Sequence, residues 1–376
     1  MTAVTGPRLA VALDGAGWHP AAWREPDARP SDLFTAGYWA DLVRQAEAAH
    51  LDFVTFEDFL SLRSPSATGV RTDLVQPRLD AVLIASRVAP LTSHIGLIPT
   101  AVVTHTEPFH LSKAIATLDY VSTGRAGVRA QVSGSLEEFR HFGRRTPGST
   151  EDLFDEAADY LEVLRRLWDS WEDGAEIRDV ATGRFVDRDK LHYIDFEGRW
   201  FSVKGPSITP RPPQGQPPVA ALAHNPVAYR LAARQADLVY VTPSDRTHSE
   251  SIVAEVRAAE SGRHLQIFAD LVVFLDETTQ AAVDRKARLD SLAEFTSDAH
   301  VFTGTPAALA DLLLDWQTSG LSGFRLRPGT LPHDLTAITD GLVPELRRRG
   351  AFRTGYEAGT LRGLLGLPRP AARYAA

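Results

Sequence analysis

The sequence predicts one (β/α)8 TIM barrel, and three observations carry that expectation. Short apolar, β-branched runs alternate with longer amphipathic segments, the pattern of a parallel sheet with crossover helices. Eight such units can be counted along the 376 residues. The chain is 44% hydrophobic and 23% charged, enough to build a large core, and no stretch between units has the composition of an interdomain linker.

The first strand is expected at 9–13 and its helix at 38–50, with a long loop between them carrying Gly15, Gly17, Trp18, His19, Pro20 and Trp23. A second strand at 53–56 ends on Glu57 and Asp58, and its helix spans 77–88. The third strand covers 94–100 and its helix 107–121, with Thr106 as the cap and Pro108 tolerated in the first turn. The fourth strand is 127–132. Its helix, 151–171, has the strongest pattern: Leu153, Phe154, Ala157, Leu161, Leu164, Trp168 and Trp171 recur at intervals of three and four, behind a capping box approximated by Ser149 and Asp152. Strands at 218–222 and 238–242 flank a helix at 226–235, and a seventh strand covers 265–275. A helix pair ending at 306–318 precedes the eighth strand, 323–326. The last helix ends in Arg347, Arg348, Arg349 and Gly350, with cations in the final turn and glycine beyond it. Residues 172–216 read as an insertion after the fourth helix, and 351–376 as a tail docked on the barrel.

The net charge is −8 and no basic block occurs, so neither nucleic acid nor an anionic membrane is an expected partner. Residues 1–8 lack the pattern of a secretory leader and no run is long enough to span a bilayer, so a cytoplasmic protein is expected. Cysteine is absent, which removes disulfides, thiolate ligands and Cys nucleophiles together.

In this fold the site lies just beyond the C-terminal ends of the strands. The residues there are Trp18, His19, Glu57, Asp58, Thr100, Thr104, His105, Arg129, Gln131, His224, Asn225, Thr242, Ser244, Arg325 and Arg327. They make a poor metal site, with no His-x-His after strand one, no HExxH, and His105 five residues from His110; no metal is expected. A phosphate loop and a Gly-x-Ser-x-Gly elbow are also missing. What remains is an aromatic and polar rim suited to a cofactor that performs the reaction.

Longer motifs add a resemblance. The segments Leu167-Trp-Asp-Ser-Trp-Glu172, Phe201-Ser-Val-Lys-Gly-Pro206 with Pro212-Pro-Gln-Gly215, Leu118-Asp-Tyr-Val-Ser-Thr-Gly-Arg-Ala-Gly127 and Val343-Pro-Glu-Leu-Arg-Arg-Arg-Gly-Ala-Phe-Arg-Thr354 are similar to those of nitrilotriacetate monooxygenases. They also resemble related desulfurisation and long-chain alkane monooxygenases, all within the bacterial luciferase-like flavin-dependent superfamily. The resemblance implies a two-component system: a separate flavin reductase supplies reduced FMN, O2 reacts to give a flavin C4a-peroxide, and a small organic substrate is oxygenated. It also implies a homodimer or homotetramer.

Carried over by position, the resemblance makes Asp58 a flavin contact, with a helix or loop cap as the alternative, and places Thr100 and Thr104 beside the ring. The family's His and Tyr at the start of the fourth helix are Thr150 and Phe154 here. Its Gly-x-Ser-Pro-x-Gly after strand five is Ala223-His-Asn-Pro-Val-Ala228, where His224 and Asn225 are expected to stand in. Its Trp-Asn of strand four is Val128 and Arg129. Arg129 suits either an anionic substrate or a rim salt bridge, and Trp18, Arg129 and His141 are expected at the substrate pocket. His105 and His19 are the candidates for proton transfer, His105 ranking first. Two alternatives stay open: a non-catalytic or scaffold member that lost flavin affinity through Thr150, Phe154 and Ala228, and a deazaflavin (F420)-dependent oxidoreductase.

Overall fold

The computed structural model describes residues 6–62, 70–260, 262 and 264–375; residues 1–5 of the segment read for a leader lie outside these. Eight strands form the barrel: β1 (Arg8–Leu13), β2 (Phe53–Phe56), β3 (Gly96–Val102), β4 (Val128–Gln131), β5 (Val219–Leu222), β6 (Leu238–Val241), β7 (Gln266–Leu275) and β8 (Gly323–Pro328). Each pairs in parallel with the next, and β8 closes on β1 with Gly323 opposite Arg8. The chain is therefore a closed (β/α)8 barrel. Gly323 permits that closure, because a Cβ there would stand 2.4 Å from the Arg8 carbonyl oxygen and 2.7 Å from the Phe268 ring.

The α-helices before β8 are α1 (Ala36–Ala48), α2 (Ala81–Val88), α3 (Pro108–Val121), α4 (Leu136–Phe142), α5 (Thr150–Asp169), α6 (Pro226–Gln235), α7 (Arg246–Ala259), α8 (Thr279–Asp290) and α9 (Pro306–Gln317). Side chains of Thr35, Asp80, Ser149, Asn225, Thr278 and Thr305 accept first-turn amides, so each of those helices starts where its capping residue stands. The expected cap of α3 is different. Pro108 takes the first helical position, Glu107 precedes it without a side-chain bond, and the Thr106 hydroxyl instead donates to the Val102 carbonyl and pairs with the Tyr160 hydroxyl at 2.8 Å. The apolar stripe of α5 seats Leu161, Leu164 and Trp168, and the Trp168 indole donates to the Ser112 carbonyl on α3. Among the described residues, no helix is long and apolar enough to cross a membrane.

Several elements fall outside the expected pattern, α7 among them. Seven residues form α4 on a Ser135 cap, too short a run for helical periodicity to stand out. An extra strand, His300–Gly304, pairs with the upper half of β7, inside the stretch expected to be a helix pair. It takes up the β7 edge directly above β6, which pairs only with the lower half.

Alternation along each strand sorts the interior into two storeys. Below, Ala10, Phe53, Ile98, Tyr240 and Phe268 share one apolar cluster, sealed by Leu361 and Leu365 of the C-terminal segment. Above, the same inward faces present Thr55 and Glu57, Thr100, Arg129, Asp270, Arg325 and Arg327.

Candidate active site at the barrel mouth

The upper storey is a buried ion network. Arg325 holds Asp270 through two bonds, Nε–Oδ1 at 2.8 Å and Nη2–Oδ2 at 2.5 Å, and reaches Glu57 at 2.8 Å and the Thr55 hydroxyl at 3.0 Å. Glu57 turns its other oxygen to Arg129, whose Nη1 also donates to Thr100 at 3.1 Å. Arg327 donates to Asp270 from Nε at 3.0 Å and from Nη2, and to Asp298 at 2.6 Å. The side chains of Glu57, Arg129, Asp270, Arg325 and Arg327 are at most 6% exposed.

Burying so many ions costs several kcal/mol each, and the network stands because every carboxylate oxygen of Glu57 and Asp270 meets a guanidinium. Burial alone would raise the Glu57 carboxyl, but Arg129 and Arg325 hold it below its ordinary value. The same balance, with Arg325 and Arg327 opposing burial, keeps Asp270 low. Removing one partner would leave a buried charge uncompensated, at about 3–5 kcal/mol.

The rim continues outward from Arg327. Its guanidinium lies 4.4 Å over the Trp18 ring, while Trp18 Nε1 donates to the Ala12 carbonyl. Asp298, just before the extra strand, also stands 3.5 Å from His224 Nε2, and His224 Nδ1 pairs with the Thr242 hydroxyl at 3.0 Å. Burial lowers the His224 imidazole, with Asp298 opposing.

The structure thus brings together Trp18, Glu57, Thr100, Arg129, His224, Thr242, Arg325 and Arg327 from the expected residues, and gives the remaining candidates other partners. Asp58 accepts from the backbone amides of Phe59 and Ala81, the latter opening α2, and burial raises its carboxyl to about 6. Thr104 accepts from the Ser133 amide. Asn225 caps α6 through Ala228. His19 is buried, accepting from the Ala21 amide at Nδ1 and meeting Asp290 at 3.1 Å, which ties the first loop to α8. Burial lowers its imidazole despite Asp290. His141 is exposed on α4, 3.8 Å from Glu137.

His105 lines a separate cavity of about 310 Å³ under α4 and α5, with Phe139, Phe142, Tyr160 and Trp200. Its ring stacks on Phe142 at 4.7 Å, and its Nε2 lies 3.8 Å from Glu138 without a hydrogen bond. Burial lowers this imidazole too, Glu138 opposing. Glu57 was named at its strand end without a role, and Asp270 and Asp298 were missing from the expected residues. The signal for Asp270 was present: an Asp in the middle of the ten-residue apolar strand β7, in step with Arg325 and Arg327 on the neighbouring strand.

The ring end of this site does not fit reduced FMN. At the ring end, Asp58, Thr100 and Thr104 are each engaged within the protein, and the axis is filled by paired charges. At the phosphate end, Asn225 already takes the Ala228 amide of α6. The start of α5 offers an exposed Thr150 and the carbon side chain of Phe154, which lines a cavity of about 360 Å³ together with Glu151 and Asp155 and with Arg230 and Arg234 of α6.

Comparison with known proteins places this barrel. The family described as luciferase-like monooxygenase matches residues 16–320. Nitrilotriacetate monooxygenase component A of Aminobacter aminovorans is 30% identical over 429 aligned positions, covering 94% of this chain and 95% of that protein. Both subunits of the pristinamycin IIA synthase of Streptomyces pristinaespiralis are similar to this chain. The shorter is 30% identical over 372 positions and 99% of both chains. The longer is 26% identical over 434 positions, with 98% of each covered. The crystal structure of riboflavin lyase RcaE, with modified FMN and riboflavin, superposes with a TM-score of 0.89 at 25% identity, covering 98% of each chain. The chain belongs to the luciferase-like family of flavin-dependent monooxygenases.

Proposed function

We propose that the chain is one subunit of a two-component flavin-dependent monooxygenase, in which a separate reductase supplies reduced FMN and O2 is used to oxygenate a small organic substrate. The observation that carries this reading is agreement over nearly the whole length with an oxygenase component, nitrilotriacetate monooxygenase component A, on a closed barrel of the same family. Length supports a subunit role in particular. The alignments with that component and with the longer subunit of pristinamycin IIA synthase exceed the length of this chain, so those proteins carry added segments. The shorter synthase subunit matches this chain almost without gaps. Both subunits of one synthase are thus similar to this chain, which supports an assembly of two related barrels.

The test is to grow the source organism under isotopically labelled O2 with and without this gene and compare labelled metabolites. The expected result is loss of label from one class of small organic product. An unchanged set of labelled products would contradict the reading.

A further inference from the structure

We infer that the charged upper storey of this barrel stands where a flavin ring would otherwise lie, so that this chain holds no reduced flavin and the flavin of the assembly belongs to the homologous second subunit. The inference rests on the subunit reading above and adds which of the two barrels lacks the cofactor.

Sites on this fold open at the C-terminal ends of the strands, and that is where the network sits. Its charges balance. Three guanidinium groups, Arg129, Arg325 and Arg327, meet three carboxylates, Glu57, Asp270 and Asp298, so no net charge remains to attract an anionic cofactor. The guanidinium faces are covered as well, Arg325 lying 4.2 Å over Tyr240 and Arg327 over Trp18. A three-ring cofactor set among these side chains would part Arg129 from Glu57 or Arg325 from Asp270, leaving buried charges unpaired.

Among the described residues, the buried polar atoms without a hydrogen bond at inward positions are Arg129 Nε, Gln131 Oε1 and the Tyr240 hydroxyl. Three such atoms suit water, which needs two to four polar partners, and fall short of the polar edge of a flavin. Of the side chains expected to hold the ring, Asp58 and Thr104 accept backbone amides and Thr100 accepts from Arg129, and Phe154 can donate no hydrogen bond to a phosphate. At the phosphate end Arg230 and Arg234 remain as donors, so the inference rests on the ring end.

The experiment is anaerobic titration of the purified chain with reduced FMN and, in parallel, with reduced deazaflavin, whose three rings need the same space. Binding is followed by calorimetry and by tryptophan fluorescence. The expected result is no saturable binding up to millimolar cofactor; one cofactor per chain at micromolar concentration overturns the inference. A second arm uses the T150H/F154Y variant, which supplies donors at the phosphate end and leaves the network untouched. Binding is expected to stay absent; binding by this variant would place the defect at the phosphate end and overturn the role of the network. Failure of the labelling experiment with no flavin bound would refute the monooxygenase reading alone, whereas loss of label with flavin bound would refute this inference alone.

Discussion

Arg325 and Asp270 face each other across the β7–β8 ladder and join through two hydrogen bonds, with neither side chain exposed to solvent. Asp270 also holds Arg327, so one carboxylate anchors two buried guanidinium groups. Asp270→Asn keeps the shape and removes the charge, and is expected to cost about 3–5 kcal/mol of stability. Urea unfolding with an unchanged slope measures it. A loss below about 1 kcal/mol, the range of an exposed pair, would show that the network is not desolvated as described.

Leu361 of the C-terminal segment seals the apolar storey beneath Phe53 and Phe268. Leu361→Asp puts a carboxylate among these rings without a partner, and destabilisation by at least about 3 kcal/mol or loss of soluble protein is expected. Wild-type unfolding behaviour would mean that the segment is not needed to close the barrel floor.

At Gly323 the strands approach too closely for any side chain, given the Arg8 carbonyl and the Phe268 ring. Gly323→Ala should lower stability by about 1–3 kcal/mol through overpacking. A neutral or stabilising effect in thermal unfolding would contradict the close approach of β8 to β1.

The pH dependence of Asp58 has the opposite sign from the network carboxylates. Burial raises its carboxyl to about 6 from an ordinary 3.8. A carboxyl with a raised folded value contributes fully when protonated, below the unfolded value, and that contribution is lost as pH rises through the folded one. Asp58→Asn therefore gains stability relative to wild type between pH ~4 and pH ~7. A stability difference that stays constant across this window would rule out the raised value.

How much of this could be read in the sequence depends on the scale of the signal. The barrel was legible because eight β-branched runs and the stripe of α5 repeat over many residues. The extra strand His300–Gly304 was not, since its five residues follow a polar stretch and gain their strand character only by pairing with β7. At the site, Arg129 could be read two ways from sequence, as a contact for an anion or as half of a salt bridge. Its nearness to Glu57 arises from barrel closure, which joins positions 72 residues apart. Asp58, His19 and Asn225 carry side chains that serve equally as ligands or as caps, and only the positions of Ala81, Asp290 and Ala228 decide between the two.

A barrel mouth closed by its own charges can be seen in a crystal structure of the chain grown anaerobically with excess reduced FMN. Arg129 is expected still paired with Glu57, Arg325 with Asp270, and no flavin density above Tyr240. Flavin density on the barrel axis, with either pair separated, would contradict it.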